Sequence, residues 1–201
     1  MTPRPGTAVA GLLLAAGGGR RLGGRAKALL EHRGTLFVER AARALLVAGC
    51  APVHVVLGAQ AEEVRARARL PGCVLVENPG WASGMGSSLR AGLASLEERG
   101  AGGALVALVD QPGVGAEAMA RVLGAYRSPA TLAAAAYGGL RGHPVLLGAA
   151  HFAAVREAAR GDQGARGYLR GREIALVECG DVASPEDIDA PADLARFLDR
   201  P

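Results

Sequence analysis

The sequence predicts an α/β fold, a Rossmann-like three-layer sandwich whose sheet is mostly parallel with a small antiparallel addition. Two patterns carry that expectation. Short Val- and Leu-rich runs alternate with stretches of helical periodicity, as in a parallel sheet covered on both faces. Glycine-rich and charged segments begin where those runs end, and ligands of such sheets bind at the carboxyl ends of strands. At 201 residues, half of them hydrophobic but only 3% aromatic, the chain can bury a core of Ala, Val and Leu without disulfides or metals.

The first apolar run, residues 9–16, ends in Gly17, Gly18 and Gly19, followed by Arg20, Arg21, Arg25 and Lys27. Glycines let main-chain amides approach a ligand closely, and the cations add charge-assisted donors at the same place, so oligophosphate suits the loop. It is neither of two familiar phosphate loops. Leu22 stands where the Rossmann fingerprint needs its third glycine, and Arg25-Ala26 follows Gly24 where the Walker pattern needs Lys and Ser or Thr. On this stretch alone a glycine-rich surface turn with solvated arginines is the alternative.

Thr35 is expected to cap a helix over 36–48 that stops at Gly49. Val53–Leu57 reads as a strand, 60–68 as a helix and 74–76 as a strand. The loop 78–86 then leads into a helix that reaches about Arg99. The amino end of that helix is either an anion or carbonyl site, helped by Ser87 or Ser88, or an ordinary serine cap; Trp81 has no assigned role. Strand 105–109 delivers Asp110, which is either a Mg²⁺ ligand facing a triphosphate or the start of a turn before Pro112.

After a helix over 116–126, strands 131–137 and 143–147 form a hairpin through the five residues 138–142. His143 in this region is a general base or a satisfied structural histidine. In 161–166, Gly164 and Arg166 could grip an anion while Asp162 caps a short helix ending near Arg170. A last strand over 173–178 precedes a helix opened by 187–191.

The formal charge of +4 comes from scattered residues without a basic block or aromatic stacking set, so a small anionic ligand accounts for it and a nucleic acid is not expected. Cys50, Cys73 and Cys179 lack pairing or zinc spacing and read as reduced, buried thiols of a cytoplasmic protein. Arg4 before the apolar run gives the amino terminus a signal-like look, but cleavage after Ala16 would discard the strand that feeds the loop. No apolar stretch is long enough to cross a membrane.

Ala15-Ala16-Gly17, Arg21-Leu22-Gly23 and Lys27 with Leu29-Leu30 together resemble the signature of the MobA-like nucleotidyltransferases, and are most similar to the molybdenum-cofactor cytidylyltransferases among them. Gly84-Met85 with Ser88-Leu89, Asp110-Gln111-Pro112, Arg141-Gly142-His143-Pro144, the 161–166 segment and 187–191 extend the likeness in the same order along almost the whole chain. Gly19 replaces a common Ser and Ala190 a common Thr.

The resemblance implies a single nucleotidyltransferase domain of nucleotide-diphospho-sugar transferase type over 1–201, with a nucleotide-binding half, 8–126, and an acceptor-binding half, 127–201. Leu14, Ala15, Ala16, Gly17, Gly18, Gly19, Arg21, Lys27, Gly84 and Ser88 would bind the nucleotide. Arg141, Gly142, His143, Gly164 and Arg166 would meet the acceptor, and Asp110 and Asp189 would hold Mg²⁺. Lys27, Arg21 and Asp110 would carry catalysis: transfer of CMP from CTP to the phosphate of a molybdopterin-type cofactor, with release of pyrophosphate. Ala16, where guanylyl enzymes tend to carry Gly, favours CTP over GTP. The resemblance allows for a recipient molybdoenzyme or its chaperone as a further partner. The rival readings are guanylyl transfer from GTP, the same chemistry on a sugar, isoprenoid or phospholactate phosphate, and a non-catalytic cofactor-binding chaperone.

Overall fold

The computed structural model describes residues 8–199; Arg4 lies outside them. Its centre is β1 (Val9–Leu14), all six residues of which are buried. Parallel to β1 run β4 (Val53–Leu57) on one side and β6 (Gly103–Leu108) on the other, and β5 (Cys73–Glu77) adds in parallel beyond β4. Past β6 the pairing reverses. Strand β8 (Leu140–Gly148) runs antiparallel to β6 and to β7 (Leu132–Tyr137), and β9 (Ala175–Glu178) closes that edge parallel to β7. The strand order is β5-β4-β1-β6-β8-β7-β9, the mostly parallel sheet with an antiparallel insertion that the sequence predicts.

Side chains of a strand alternate between the two sheet faces, and β1 divides its residues accordingly. Leu13 packs on the face covered by α1 (Phe37–Val47), α2 (Ala61–Arg67), α4 (Ala116–Leu123) and α7 (Pro191–Leu198), whose Leu45, Val64, Met119 and Phe197 join one core. Leu12 and Leu14 point to the other face, against Leu93 of α3 (Met85–Glu98), Val155 of α5 (Phe152–Ala158) and Leu169 of α6 (Arg166–Leu169). Helix α3 comes so near the sheet that a Cβ on Gly92 would lie 2.4 Å from Leu12 Cδ1.

Several local expectations are corrected. Thr35 does not cap α1; it pairs with His32 in a two-stranded ribbon of β2 (Glu31–His32) and β3 (Thr35–Leu36). The Glu39 carboxylate instead accepts the Leu36 N–H at 3.0 Å, satisfying an amide at the start of the helix. Helix α3 starts at Met85, so Ser87 and Ser88 lie inside its first turn and neither is its cap. The β7–β8 connection is two residues rather than five, because Gly138 and Gly139 both take positive φ (60° and 79°) and let Tyr137 pair directly with Leu140. Cys50 and Cys179 are buried as expected, but Cys73, on the edge strand β5, is partly exposed. Among the described residues no helix is long and apolar enough to cross a membrane.

Candidate functional site

The loop after β1 is held from below before it is free to meet a ligand. Ala15 N–H donates to Val56 O and Ala59 N–H to Ala16 O, which carries the β1–β4 pairing two residues further and buries both alanines. Beyond Gly17 the chain folds back on itself, with Gly24 N–H on Gly19 O and Lys27 N–H on Gly17 O. Gly19 has φ +54°, and a Cβ there would lie 2.1 Å from the Arg25 carbonyl oxygen. Arg25 donates to Leu29 O and thereby braces the turn, whereas Arg20 is exposed. Trp81, without a role in the sequence reading, packs on this loop: a Cβ on Gly18 would be 2.9 Å from its ring, and one on Gly58 2.5 Å from its Cβ. The Ala16 methyl faces the same Gly58, at 2.7 Å from where a Cβ would stand.

Lys27 and the two predicted metal carboxylates meet although 83 and 162 residues separate them in sequence. Lys27 Nζ donates to Asp110 Oδ2 at 2.7 Å and to Asp189 Oδ1 at 2.5 Å, and Arg21 adds 2.9 Å to Asp189 Oδ2. Main-chain bonds bring the segments together. Val109 N–H extends the β1–β6 pairing onto Leu14 O, and Ile188 N–H donates to Asp110 O. Asp193 accepts the N–H groups of Asp189 and Ala190, fixing the turn into α7. Burial opposes the charge on Lys27, yet Asp110 and Asp189 outweigh it and raise its pKa above the usual value. The Lys27 hydrogen bond, then the Lys27 and Arg21 charges, lower that of Asp189.

This donor set fits a small divalent cation, since two carboxylates already grip a compact cation between them, and Mg²⁺ takes one or two protein carboxylates with phosphate oxygen and water completing its shell. Among the described residues no group of three or more His, Cys, Asp or Glu is arranged for a metal, so the pair would need ligands from a substrate.

Beside this cluster lies a cavity of 320 Å³. Arg141, Gly142, His143, Gly164 and Arg166, all expected at the acceptor, stand on its wall, over an apolar floor that includes Leu89, Val106 and Leu147. Two residues that the sequence reading left without a role, Gln111 and Asp187, also line it. Gln111 Nε2 donates to Asp187 Oδ1 at 2.9 Å and to Pro185 O, which ties the cavity to the Asp110–Asp189 cluster. Burial raises the pKa of Asp187, with the Asp110 and Asp189 charges adding to it and the Gln111 bond opposing. Adjacency to Asp110 and to Asp189 was the available signal for both residues. His143 is held neutral, its pKa lowered to about 4 by burial and by the charges of Arg166 and Arg141.

Gly84 and Ser88 are not on that cavity. A Cβ on Gly84 would sit 2.5 Å from the Gly161 carbonyl carbon, so the residue lets the start of α3 abut the 161–164 turn. Ser88 is buried and its Oγ accepts from Asn78 Nδ2, which also donates to Ser87 Oγ.

Residues 11–178 match the model of the MobA-like NTP transferase domain. The chain belongs to this family. It is a nucleotidyltransferase of the MobA-like kind, an enzyme class whose substrate is a nucleoside triphosphate. A relative named nicotine blue oxidoreductase, from Paenarthrobacter nicotinovorans, is 44% identical over 199 residues, covering 94% of this chain and 96% of the relative. The Rv0371c protein of Mycobacterium tuberculosis H37Rv superposes with a TM-score of 0.81 at 30% identity, over 97% of this chain and all of the other. The same protein has been solved in complex with manganese (28% identity, TM-score 0.76, 96% and 99% covered). A nucleotidyl transferase from Methanothermobacter shares the fold (TM-score 0.80, 96% of each chain) at 23% identity.

Proposed function

We propose that this MobA-like enzyme transfers CMP from CTP to the phosphate of a molybdopterin-type cofactor and releases pyrophosphate. The observation that carries the reading is the junction of loop, carboxylates and cavity. Lys27 and Arg21 sit on Asp110 and Asp189 at the edge of a cavity that gathers Arg141, His143 and Arg166. An acceptor anion held by Arg141 and Arg166 would lie beside a triphosphate held by Lys27, Arg21 and the amides of the 14–19 loop. An oxygen of the acceptor phosphate forms the new bond to the α-phosphorus, and the bond from that phosphorus to the α–β bridging oxygen breaks, so pyrophosphate leaves with the electron pair. No covalent enzyme intermediate is needed.

Asp110 and Asp189 would hold Mg²⁺, which when bound neutralises phosphate charge; manganese in the Rv0371c structure supports a divalent ion in this fold. The chain's own contribution is placement and charge. Lys27 and Arg21 stabilise the phosphates, and neutral His143 positions the acceptor without taking a proton, since a phosphate oxygen is already ionised at neutral pH. Gly84 and Ser88, expected to contact the nucleotide, would do so from the start of α3. In this reading 8–126 serve the nucleotide and 127–201 the acceptor within one domain, a recipient molybdoenzyme or its chaperone takes the product, and the protein works in the cytoplasm.

A second reading is supported by the 44% identical relative: turnover of nicotine blue, or of a pigment like it, in the same cavity. One pair of assays separates them. Pyrophosphate release is followed with Mg²⁺, molybdopterin and each of the four nucleoside triphosphates, and protein-dependent loss of the visible absorbance of nicotine blue is followed without oxygen, with a reduced nicotinamide nucleotide as the two-electron donor and a protein-free control. Pyrophosphate release that depends on molybdopterin supports the transferase reading. Loss of pigment absorbance without such release overturns it in favour of the second.

A further inference from the structure

Lys27 is the only lysine among the 23 lysines and arginines of the chain. Every other cationic side chain is arginine, including those in ordinary ion pairs such as Arg121 with Glu117 and Asp181. At the centre of the site stands instead the compact ammonium, with a side chain 13% exposed, donating to one oxygen of Asp110 and one of Asp189. A guanidinium is a planar fork that suits bidentate pairing, whereas an ammonium is a point charge on a flexible stem, close in shape to a small metal ion and free to move away.

Both carboxylates already carry a cation. Lys27 and Arg21 oppose Asp110 and Asp189. A divalent cation arriving alone would have to displace the ammonium and the guanidinium from the carboxylates and would leave both facing it. A triphosphate arriving alone would face two carboxylates. A metal–nucleotide complex removes both difficulties, because its phosphates receive Lys27 and Arg21 as its cation takes their place on the carboxylates.

We propose that Lys27 is the resting counter-ion of the Asp110–Asp189 pair, so that a divalent cation binds this site more tightly together with a nucleotide than alone, as Lys27 passes from the carboxylates to the phosphates. The inference rests on the loop and metal assignments above. It makes metal and nucleotide binding mutually favourable by one common factor, and couplings of this kind are typically about 5- to 150-fold.

A chain with one lysine can be labelled with ζ-¹⁵N-lysine to give a single side-chain resonance. Mg²⁺ alone should leave that resonance in place; Mg²⁺ with CTP or GTP carrying a methylene at the α–β bridge should move it. Mn²⁺ binding, read by electron paramagnetic resonance, should be at least about tenfold tighter with the analogue than without. In Lys27→Met, Mn²⁺ should bind the nucleotide-free protein about tenfold more tightly than it binds wild type, with the coupling reduced accordingly. A lysine resonance that moves with Mg²⁺ alone, or equal Mn²⁺ affinity with and without nucleotide, overturns the proposal even if the variant does not fold. Mn²⁺ binding that Asp110→Asn and Asp189→Asn leave unchanged would instead remove the metal assignment itself, and the proposal with it.

Discussion

Gly19→Ala tests whether the shape of the phosphate loop, and not just its charge, makes the site. The new methyl would enter a left-handed backbone position, which costs a non-glycine residue about 1–2 kcal/mol. It would also stand 2.1 Å from the Arg25 carbonyl oxygen, a backbone atom two residues before Lys27. To reach an acceptable contact the 25–27 segment must shift by about an ångström, and misplacement of that size in a catalytic group costs about 100-fold in rate. Gly23→Ala is the matched control, because Gly23 also has positive φ (+72°) but a Cβ there meets nothing within 4 Å. Urea denaturation should find Gly23→Ala destabilised by about 1–2 kcal/mol and Gly19→Ala by more, because the clash adds to the backbone cost. Steady-state pyrophosphate release and calorimetric titration with a CTP analogue should find Gly19→Ala about 100-fold impaired and Gly23→Ala within a few-fold of wild type. If the two variants turn over equally, the fixed path from Gly19 to Lys27 does not govern the site.

Asp110→Asn and Asp189→Asn should each remove most turnover while the fold survives; near-normal pyrophosphate release at low Mg²⁺ would take that residue out of the metal site. Ala16→Gly, which empties the space beside Gly58 and Trp81, should shift the CTP-to-GTP ratio of kcat/KM towards GTP by about tenfold to a few hundredfold, measured by competition; an unmoved ratio would sink the base assignment. Acid should destabilise the protein through His54, whose pKa is lowered to about 4 by burial and then by Arg99, and through His143, also at about 4. Unfolded histidines take up protons near pH 6.5, so the stabilisation is whole above that pH and is lost as pH falls towards 4, by about 3 kcal/mol for fully buried His54. Urea midpoints at pH 7 and 4.5 should therefore differ less in His54→Leu than in wild type, and an equal difference would refute the assignment.

By itself the sequence determined the elements whose cause is local. The all-buried β1 reads as an apolar run, the loop after it as glycines among cations, and α1 as a helix with one apolar face, because period and composition are properties of neighbouring residues. Asp110, Lys27 and Asp189 could be named one by one from their motifs. Their meeting could not, since it depends on main-chain bonds such as Ile188 N–H to Asp110 O, which form only once β6 and the segment before α7 lie side by side. Trp81 shows the same division: an aromatic after Gly80 is visible in the chain, but its support of the loop exists only because Gly18 and Gly58, far off in sequence, leave room for the ring. Thr35 was misread because a Thr before an apolar helix is a good local cap, and a competing local turn, with Arg33 and Gly34 both at positive φ, pairs it with His32 in a short ribbon instead. The burial that holds His143 neutral and the Gln111 bridge to Asp187 were settled by tertiary structure alone, because a side chain's solvent and partners are contributed by residues distant in the chain.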